Sequence, residues 1–284
     1  MLFWAFCLSI LAQELKPSQI VSINLASDEV LLTLLDAKKE LWRLAAISRL
    51  ADNADYSNVR DLAKKIPHRS GNNIESLLAL KPRPDLVVTA SFNSLTLRSK
   101  IKEARINTYG IGELRSFTDI RNLILDLAKL IQAEDVAKAH LEQLESKLVA
   151  LVPLSKPVSI LYYDTSGVQV GAKTLLTEMI EKTGARNIIA DKGIQGWPKV
   201  SKEFIAQLNP DFILVCAKSL GEAKEKVRQN RSFAVLPAFK SNKFLLLEAS
   251  QMYATSFVTY EAVLKLHTQL LAWEKVPNQF SVKS

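Results

Sequence analysis

The chain of 284 residues reads as an α/β protein of two Rossmann-like lobes with central, mainly parallel sheets, joined by one long backbone helix. Three observations predict this. Strand-like and helix-like segments alternate in both halves, the pattern of a parallel sheet with helices on its faces. Between them, Ser116 to Leu151 contains no Gly or Pro in 36 residues and carries Val136, Leu141, Leu144, Leu148 and Leu151 at helical intervals. Finally, one segment occurs twice. NIESLLALKPRPDLVV (Asn73 to Val88) and VSKEFIAQLNPDFILV (Val200 to Val215) match at Glu75 and Glu203, Leu80 and Leu208, and Pro82 and Pro210, each pair 128 positions apart. After two extra residues, Arg83 and Pro84, Asp85 answers Asp211.

Taken in order, QIVSINL (Gln19 to Leu25) is a β-branched-rich strand. Ser27 is placed to cap the next helix, with Asp28 and Glu29 in its first turn, where the macrodipole favours negative charge. LWRLAAIS (Leu41 to Ser48) is a strand; Asn72 or Asn73 caps the helix IESLLALK, Pro82 stops it, and DLVVTA is the next strand. LRSKIKEARI reads as a helix and NTYGIG as a short strand. AEDVAKAHLEQLESKLVAL is the amphipathic connecting helix, about 27 Å long at 1.5 Å per residue, and Pro153 and Pro157 end it. The alternation resumes with the strand VSILYYD and the helix TLLTEMIEKTG, stopped by Gly184. KEFIAQLN is a helix, DFILVCA a strand, LGEAKEKVRQN a helix, KFLLLEAS a strand and FVTYEAVLKLHTQLLAWE the closing helix. The predicted organisation is a signal peptide and leader over 1–18, an N-terminal α/β lobe over 19–115, a linking helical segment over 116–152 and a C-terminal α/β lobe over 153–284.

Composition narrows the function. With 37 Lys and Arg against 29 Asp and Glu the net charge is +8, but the positive residues are spread out, with no Arg-rich run and no aromatic-basic interleaving, so nucleic acid is not expected as a partner. LFWAFCLSILA (Leu2 to Ala12) is apolar apart from Ser9. It falls short of the roughly 20 residues that span a bilayer and suits the apolar region of a signal peptide cut near Ala12. The other reading is an apolar tail packed on the fold. Phe6 stands where a lipid-modified Cys7 would need a small residue before it. The expectation is a secreted, soluble mature protein. Cys7 and Cys216 lie in an apolar leader and at a strand end, so no disulfide framework is expected.

Enzyme signatures are missing. The first βα turn, INLASDE, lacks G-x-G-x-x-G and places two acids where a dinucleotide would place its phosphates. There is no Walker A sequence and no G-x-S-x-G elbow. His68, His140 and His267 show no metal-ligand spacing, and His140 and His267 read as ordinary helix residues. No catalytic residue, metal ligand or cofactor of the protein's own is predicted.

In QIVSINLASDEVLLTLL, GNNIESLLALKPRPDLVV, GAKTLLTEMIEKTGARNIIAD and GWPKVSKEFIAQLNPDFILV, in that order around a central helix, the chain resembles the periplasmic substrate-binding proteins of ABC importers for cobalamin, iron–siderophore complexes and haem. The resemblance covers Gln19 to about Trp273. It implies a monomer that captures a solute carrying Co or Fe between its lobes and delivers it to a dimeric transmembrane permease, performing no chemistry. It gives the repeated acids a role as docking plugs, Glu75 and Glu203 each meeting a basic socket on one permease subunit. Ligand residues are expected at the carboxyl ends of the strands, as open α/β sheets favour. These are Ser48 to Leu50, His68, Arg69, Ser91, Phe92 and Asn93 in the first lobe, and Tyr163, Gln169, Trp197 and Ser250 to Tyr253 in the second. Trp197, in a Gly-Pro turn, leads because relatives place an aromatic there against the ligand; Tyr253 and Phe92 follow. Haem-binding relatives use a Tyr or His near His68 as an iron ligand, and Arg69 is the candidate partner of a propionate or siderophore carboxylate. The alternative for His68 is an exposed loop residue. Leu50, Arg69 and Ser91 stand near positions where cobalamin binders carry aromatics, a departure that counts against cobalamin. Two other readings stay open: a secreted binding or signalling module without a transport role, and a nitrogenase-like cofactor-assembly protein, whose clusters need more cysteine than Cys216 supplies.

Overall fold

The computed structural model describes residues 16–71, 73–91 and 93–275. The expected signal peptide with Cys7, and the ligand candidate Phe92, lie outside the described residues. The chain divides into two units. Unit 1 holds the chain up to Asp52, Val59–Gly112 and Leu123–Lys138; unit 2 holds Asn53–Asn58, Glu113–Asn122 and the chain from Ala139 onward.

Unit 1 is built from strands β1 (Ile20–Ser22), β2 (Leu44–Ser48), β3 (His68–Ser70), β4 (Leu86–Ala90) and β5 (Asn107–Ile111). They form one parallel sheet in the order β3-β2-β1-β4-β5. A parallel sheet is covered on both faces, so its strands are apolar at successive positions; Ile20, Val21, Ala46, Ile47, Val87 and Val88 are all fully buried. Each buried Ile or Val side chain contributes about 1.5–3 kcal/mol. Helices α1 (Leu25–Ala37), α2 (Arg60–Ala63), α3 (Ile74–Leu78) and α4 (Leu95–Glu103) fill the crossovers. The cap of α1 is Asn24 rather than Ser27: its Oδ1 accepts the N–H of Ser27 at 3.0 Å, so the helix starts one turn earlier and β1 is shorter than expected. Ser27 turns inward instead, sharing a hydrogen bond with Ser22 at 2.7 Å. A 3₁₀ turn over Leu41–Arg43 takes the first half of the expected LWRLAAIS strand.

The linking segment contains two helices, α5 (Phe117–Ile131) and α6 (Glu134–Val149). α6 is the predicted amphipathic helix. The break before it needs no glycine, because Gln132 adopts a left-handed conformation (φ 57°) and Ala133 N–H donates to the carbonyl of Ala128 at 2.8 Å. The unit boundary falls within both helices.

Unit 2 carries β6 (Ser159–Tyr163), α7 (Leu175–Lys182), β7 (Arg186–Asn187), α8 (Lys202–Gln207), β8 (Phe212–Cys216), α9 (Leu220–Arg228), α10 (Arg231–Ala234), α11 (Pro237–Lys240), β9 (Phe244–Leu247), α12 (Ala249–Met252) and α13 (Val258–Lys275). Its strands are parallel in the order β7-β6-β8-β9. Among the described residues no helix is long and apolar enough to cross a membrane.

The doubled segment is one structural unit used in each sheet. Asn73 caps α3 and Ser201 caps α8, each side chain accepting the N–H three residues on. Glu75 and Glu203 are then the second residue of their helices, exposed in the first turn. Past the proline, Asp85 accepts hydrogen bonds from the Ser18 and Gln19 N–H groups (2.8 and 3.1 Å) and returns its own N–H to the carbonyl of Gln19. Asp211 does the same at the head of β6, accepting from the N–H and hydroxyl of Ser159 at 2.8 and 2.9 Å. Each aspartate pins the start of the neighbouring strand and so sets the register of the sheet.

Candidate functional site

The strand order reverses between β1 and β4 in unit 1 and between β6 and β8 in unit 2, and ligands favour the carboxyl ends of strands at such points. In unit 2 that end carries four aromatic rings in sequence. Tyr162 is the buried floor. Trp197 meets it edge-on, with ring centroids 6.5 Å apart and planes at 85°. Tyr253 shares a hydrogen bond with it, hydroxyl to hydroxyl, at 3.1 Å, and Tyr56 lies 6.3 Å from Tyr253, centroid to centroid. Trp197 is 53% exposed, and Tyr253 and Tyr56 are 45% exposed, so three rings present open faces around a covered fourth. Aromatic faces of this kind attract flat π systems in offset or edge-on contact, worth about 0.5–1.5 kcal/mol per pair beyond the area buried.

Each ring is held by local structure. Trp197 sits midway along one side of a ribbon in which Gln169 donates its N–H to Pro198, Gly171 to Gly196 and Ala172 to Ile194, at 2.8 to 2.9 Å. A Cβ on Gly171 would lie 2.5 Å from the Ile194 carbonyl oxygen, so only glycine lets the two segments approach this closely. Tyr253 follows α12, whose Glu248 and Gln251 form a capping box. Tyr56 rides on the excursion Asn53–Asn58, where Asn53 Oδ1 accepts the N–H groups of Asp55 and Tyr56 at 2.8 and 3.2 Å. Burial, then the hydrogen bond to Tyr253, pushes the Tyr162 hydroxyl far above the ordinary phenol range, and burial raises Tyr253 as well, so both are neutral phenols at physiological pH. The Cys216 thiol, at the end of β8, is also pushed up by burial and is not a thiolate.

The carboxyl end of the unit 1 sheet is polar instead. Ser70 donates to the Ser22 carbonyl at 2.8 Å. The Ser48 hydroxyl donates to Asp28, and the Ser48 N–H reaches the same carboxylate at 3.2 Å. Burial raises Asp28 from its ordinary 3.8 to about 7, against hydrogen bonds from Ser22 and Ser48 that lower it and with neighbouring Glu29 adding to the rise. Ser91 is exposed just past β4, and Asn93 is buried with its Oδ1 accepting the Ala90 N–H at 2.7 Å.

The expected site residues divide accordingly. Trp197 and Tyr253 come together. Tyr163 does not join them: successive residues of a strand face opposite sides, and Tyr163 points into the core, against Phe233 at 4.9 Å with its hydroxyl donating to the Lys226 carbonyl at 2.5 Å. Tyr162, its strand neighbour, stands with Trp197 and Tyr253 instead. Gln169 is fully buried within the Trp197 ribbon, its side-chain amide donating to its neighbour Val168 and its Oε1 without a partner. Arg69 grips Asp52 with two bonds (2.6 and 2.8 Å) and donates to the carbonyls of Ala63, Ile66 and His68, so each of its five N–H groups has a partner within unit 1. His68 opens β3, at the opposite end of the sheet from Ser48 and Ser91. There it lines a cavity of about 400 Å³ with Trp42, Leu44, Lys65, Lys81 and Pro82. Tyr162 and Tyr56 were not foreseen.

Comparison with known proteins agrees with this architecture. A family model described as periplasmic binding protein matches residues 20–250. An uncharacterized ABC transporter substrate-binding lipoprotein of Bacillus subtilis, YvrC, is 26% identical over 164 residues, 54% of this chain; the match spans about half of that relative's length, 52%. Solved structures that share the fold include two periplasmic binding proteins. One is a possible iron-binding (periplasmic solute-binding) protein from Staphylococcus epidermidis, with 18% identity over 90% of this chain and 99% of that one and a TM-score of 0.74. The other is the periplasmic haem-binding protein HutB of Vibrio cholerae, with 20% identity, 89% and 98% coverage and a TM-score of 0.72. With the family model spanning both sheets and the doubled helix–proline–strand unit inside it, the chain belongs to the periplasmic binding protein family.

Proposed function

We propose that the protein binds a metal-carrying solute outside the cytoplasm, a haem, cobalamin or ferric siderophore, and presents it to the permease of an ABC importer. The observation that carries the reading is the aromatic face of Trp197, Tyr162, Tyr253 and Tyr56 at the carboxyl end of the unit 2 sheet, in a member of a solute-binding family. A planar or ring-rich complex meets the open faces of three rings, while Tyr162 keeps Trp197 and Tyr253 in place. The protein's contribution is capture and presentation, with no reaction and no cofactor of its own; Co or Fe arrives with the solute. The names of the Bacillus relative and of the two structural neighbours support an extracytoplasmic transport role and an iron-containing solute.

Glu75 and Glu203 are the proposed docking residues. Both are exposed second residues of short capped helices in the same structural unit, and Glu75 has only a loose partner, Lys100 at 3.9 Å. Paired rim charges favour registry and encounter rate more than affinity. The double substitution Glu75→Lys with Glu203→Lys should cut solute uptake by cells at least tenfold while leaving solute affinity of the purified protein unchanged. Unaltered uptake would exclude docking through these residues.

A further inference from the structure

We infer that Tyr56 is a specificity-determining contact for large, flat solutes, and that the excursion Asn53–Asn58 is a strap that positions it. This rests on the aromatic face being the solute site. The excursion leaves the chain of unit 1 after Asp52 and belongs to unit 2. Asn53 gives it an internal turn: its side chain holds the N–H groups of Asp55 and Tyr56, and its carbonyl holds that of Ser57 at 3.0 Å. Two fasteners then tie the strap to the strand ends of unit 2. Lys218, just past β8, pairs with Asp55 at 2.9 Å, and the Asn58 amide donates to the carbonyl of Ser250, in the first turn of α12, at 2.7 Å.

These anchors bracket Tyr56 on both sides, yet the ring itself is half exposed and packs against Tyr253 at the outer edge of the aromatic row. An exposed ion pair adds little to stability. What it fixes is where the ring stands. The row runs Trp197, Tyr162, Tyr253, Tyr56, so a small solute is contained by Trp197 and Tyr253, whereas a macrocycle extends onto Tyr56. The strap therefore sorts solutes by size, and its grip weakens with ionic strength because the Asp55–Lys218 pair is open to screening.

The test has two arms on the full-length protein. Without solute, hydrogen–deuterium exchange of the Asp55 and Tyr56 amides should speed up at least fivefold in Asp55→Ala and in Lys218→Ala, with the double variant no faster than either single one. With haemin, cyanocobalamin and a ferric tris-catecholate as probes, Tyr56→Ala should weaken binding of haemin or cyanocobalamin about tenfold and of the smaller tris-catecholate less than twofold, and Tyr56→Phe should recover most of the loss. Exchange unchanged in both single variants would overturn the strap. Equal losses for all probes, or none in Tyr56→Ala where Trp197→Ala does lose binding, would overturn Tyr56 as the size discriminator alone. If no probe binds wild type, or Trp197→Ala binds as wild type, the aromatic-face reading fails and the specificity inference with it.

Discussion

Replacing Asp28 with Asn should stabilise the protein at neutral pH. Asp28 lies in the first turn of α1 with no exposed surface, and the cost of burying its charge outweighs the bonds from Ser22 and Ser48. Its carboxyl is raised from 3.8 to about 7. Below 3.8 the folded and unfolded chains both carry the proton. Between 3.8 and 7 the unfolded chain gives it up and the folded chain keeps it, so stability falls as pH rises, by about 1.4 kcal/mol per pH unit. The loss reaches at most about 4 kcal/mol, an order-of-magnitude ceiling, and levels off above pH 7. Asp28→Asn keeps the shape and the acceptor for the Ser48 N–H but carries no charge to bury. Urea unfolding of both proteins at pH 5, 6, 7 and 8 should give a midpoint difference that grows in favour of Asp28→Asn up to pH 7 and then holds. Other titrating groups cancel in the difference. A difference that is constant across this range, or that favours wild type increasingly at high pH, would refute the reasoning.

Other changes follow from the same contacts. Asp85→Ala and Asp211→Ala should each cost about 1–3 kcal/mol, because each leaves strand-head N–H groups without their acceptor; equal costs in the two units, measured by urea unfolding, would confirm the shared role, and a neutral result at either would remove it. Gly171→Ala should push the ribbon off the Ile194 carbonyl and weaken haemin binding with little loss of helix content by circular dichroism. Unaltered binding there would show that the ribbon does not position Trp197.

Much of this was legible in the sequence because local chemistry and the fold agree. Asn73 and Gly184 punctuate helices where the sequence predicts, and the repeated segment marks one helix–proline–strand unit used in both sheets. The repeated aspartates looked like part of a worn motif; the structure gives them a task at the strand heads. Where two polar residues stood within one turn, as with Asn24 and Ser27, pattern did not decide the cap. The site was harder. In a sheet covered on both faces, neither side of a strand is marked by polarity, so SILYY does not reveal which tyrosine faces the ligand end and which the core. Arg69 had a partner, Asp52, that no spacing rule pairs with it. Tyr56 lies in LADNADYSNV, a polar stretch without period, and nothing in that pattern marks it as ordered.

The most direct test of the account is a tryptophan-fluorescence titration of wild type, Trp197→Ala and Tyr253→Ala with haemin, cyanocobalamin and a ferric tris-catecholate. The account predicts saturable one-to-one binding of at least one of these probes, weakened at least tenfold in Tyr253→Ala and abolished as a quenching signal in Trp197→Ala, with unfolding midpoints unchanged. Saturable binding that survives both substitutions, or no binding of any probe to folded wild type, would contradict it.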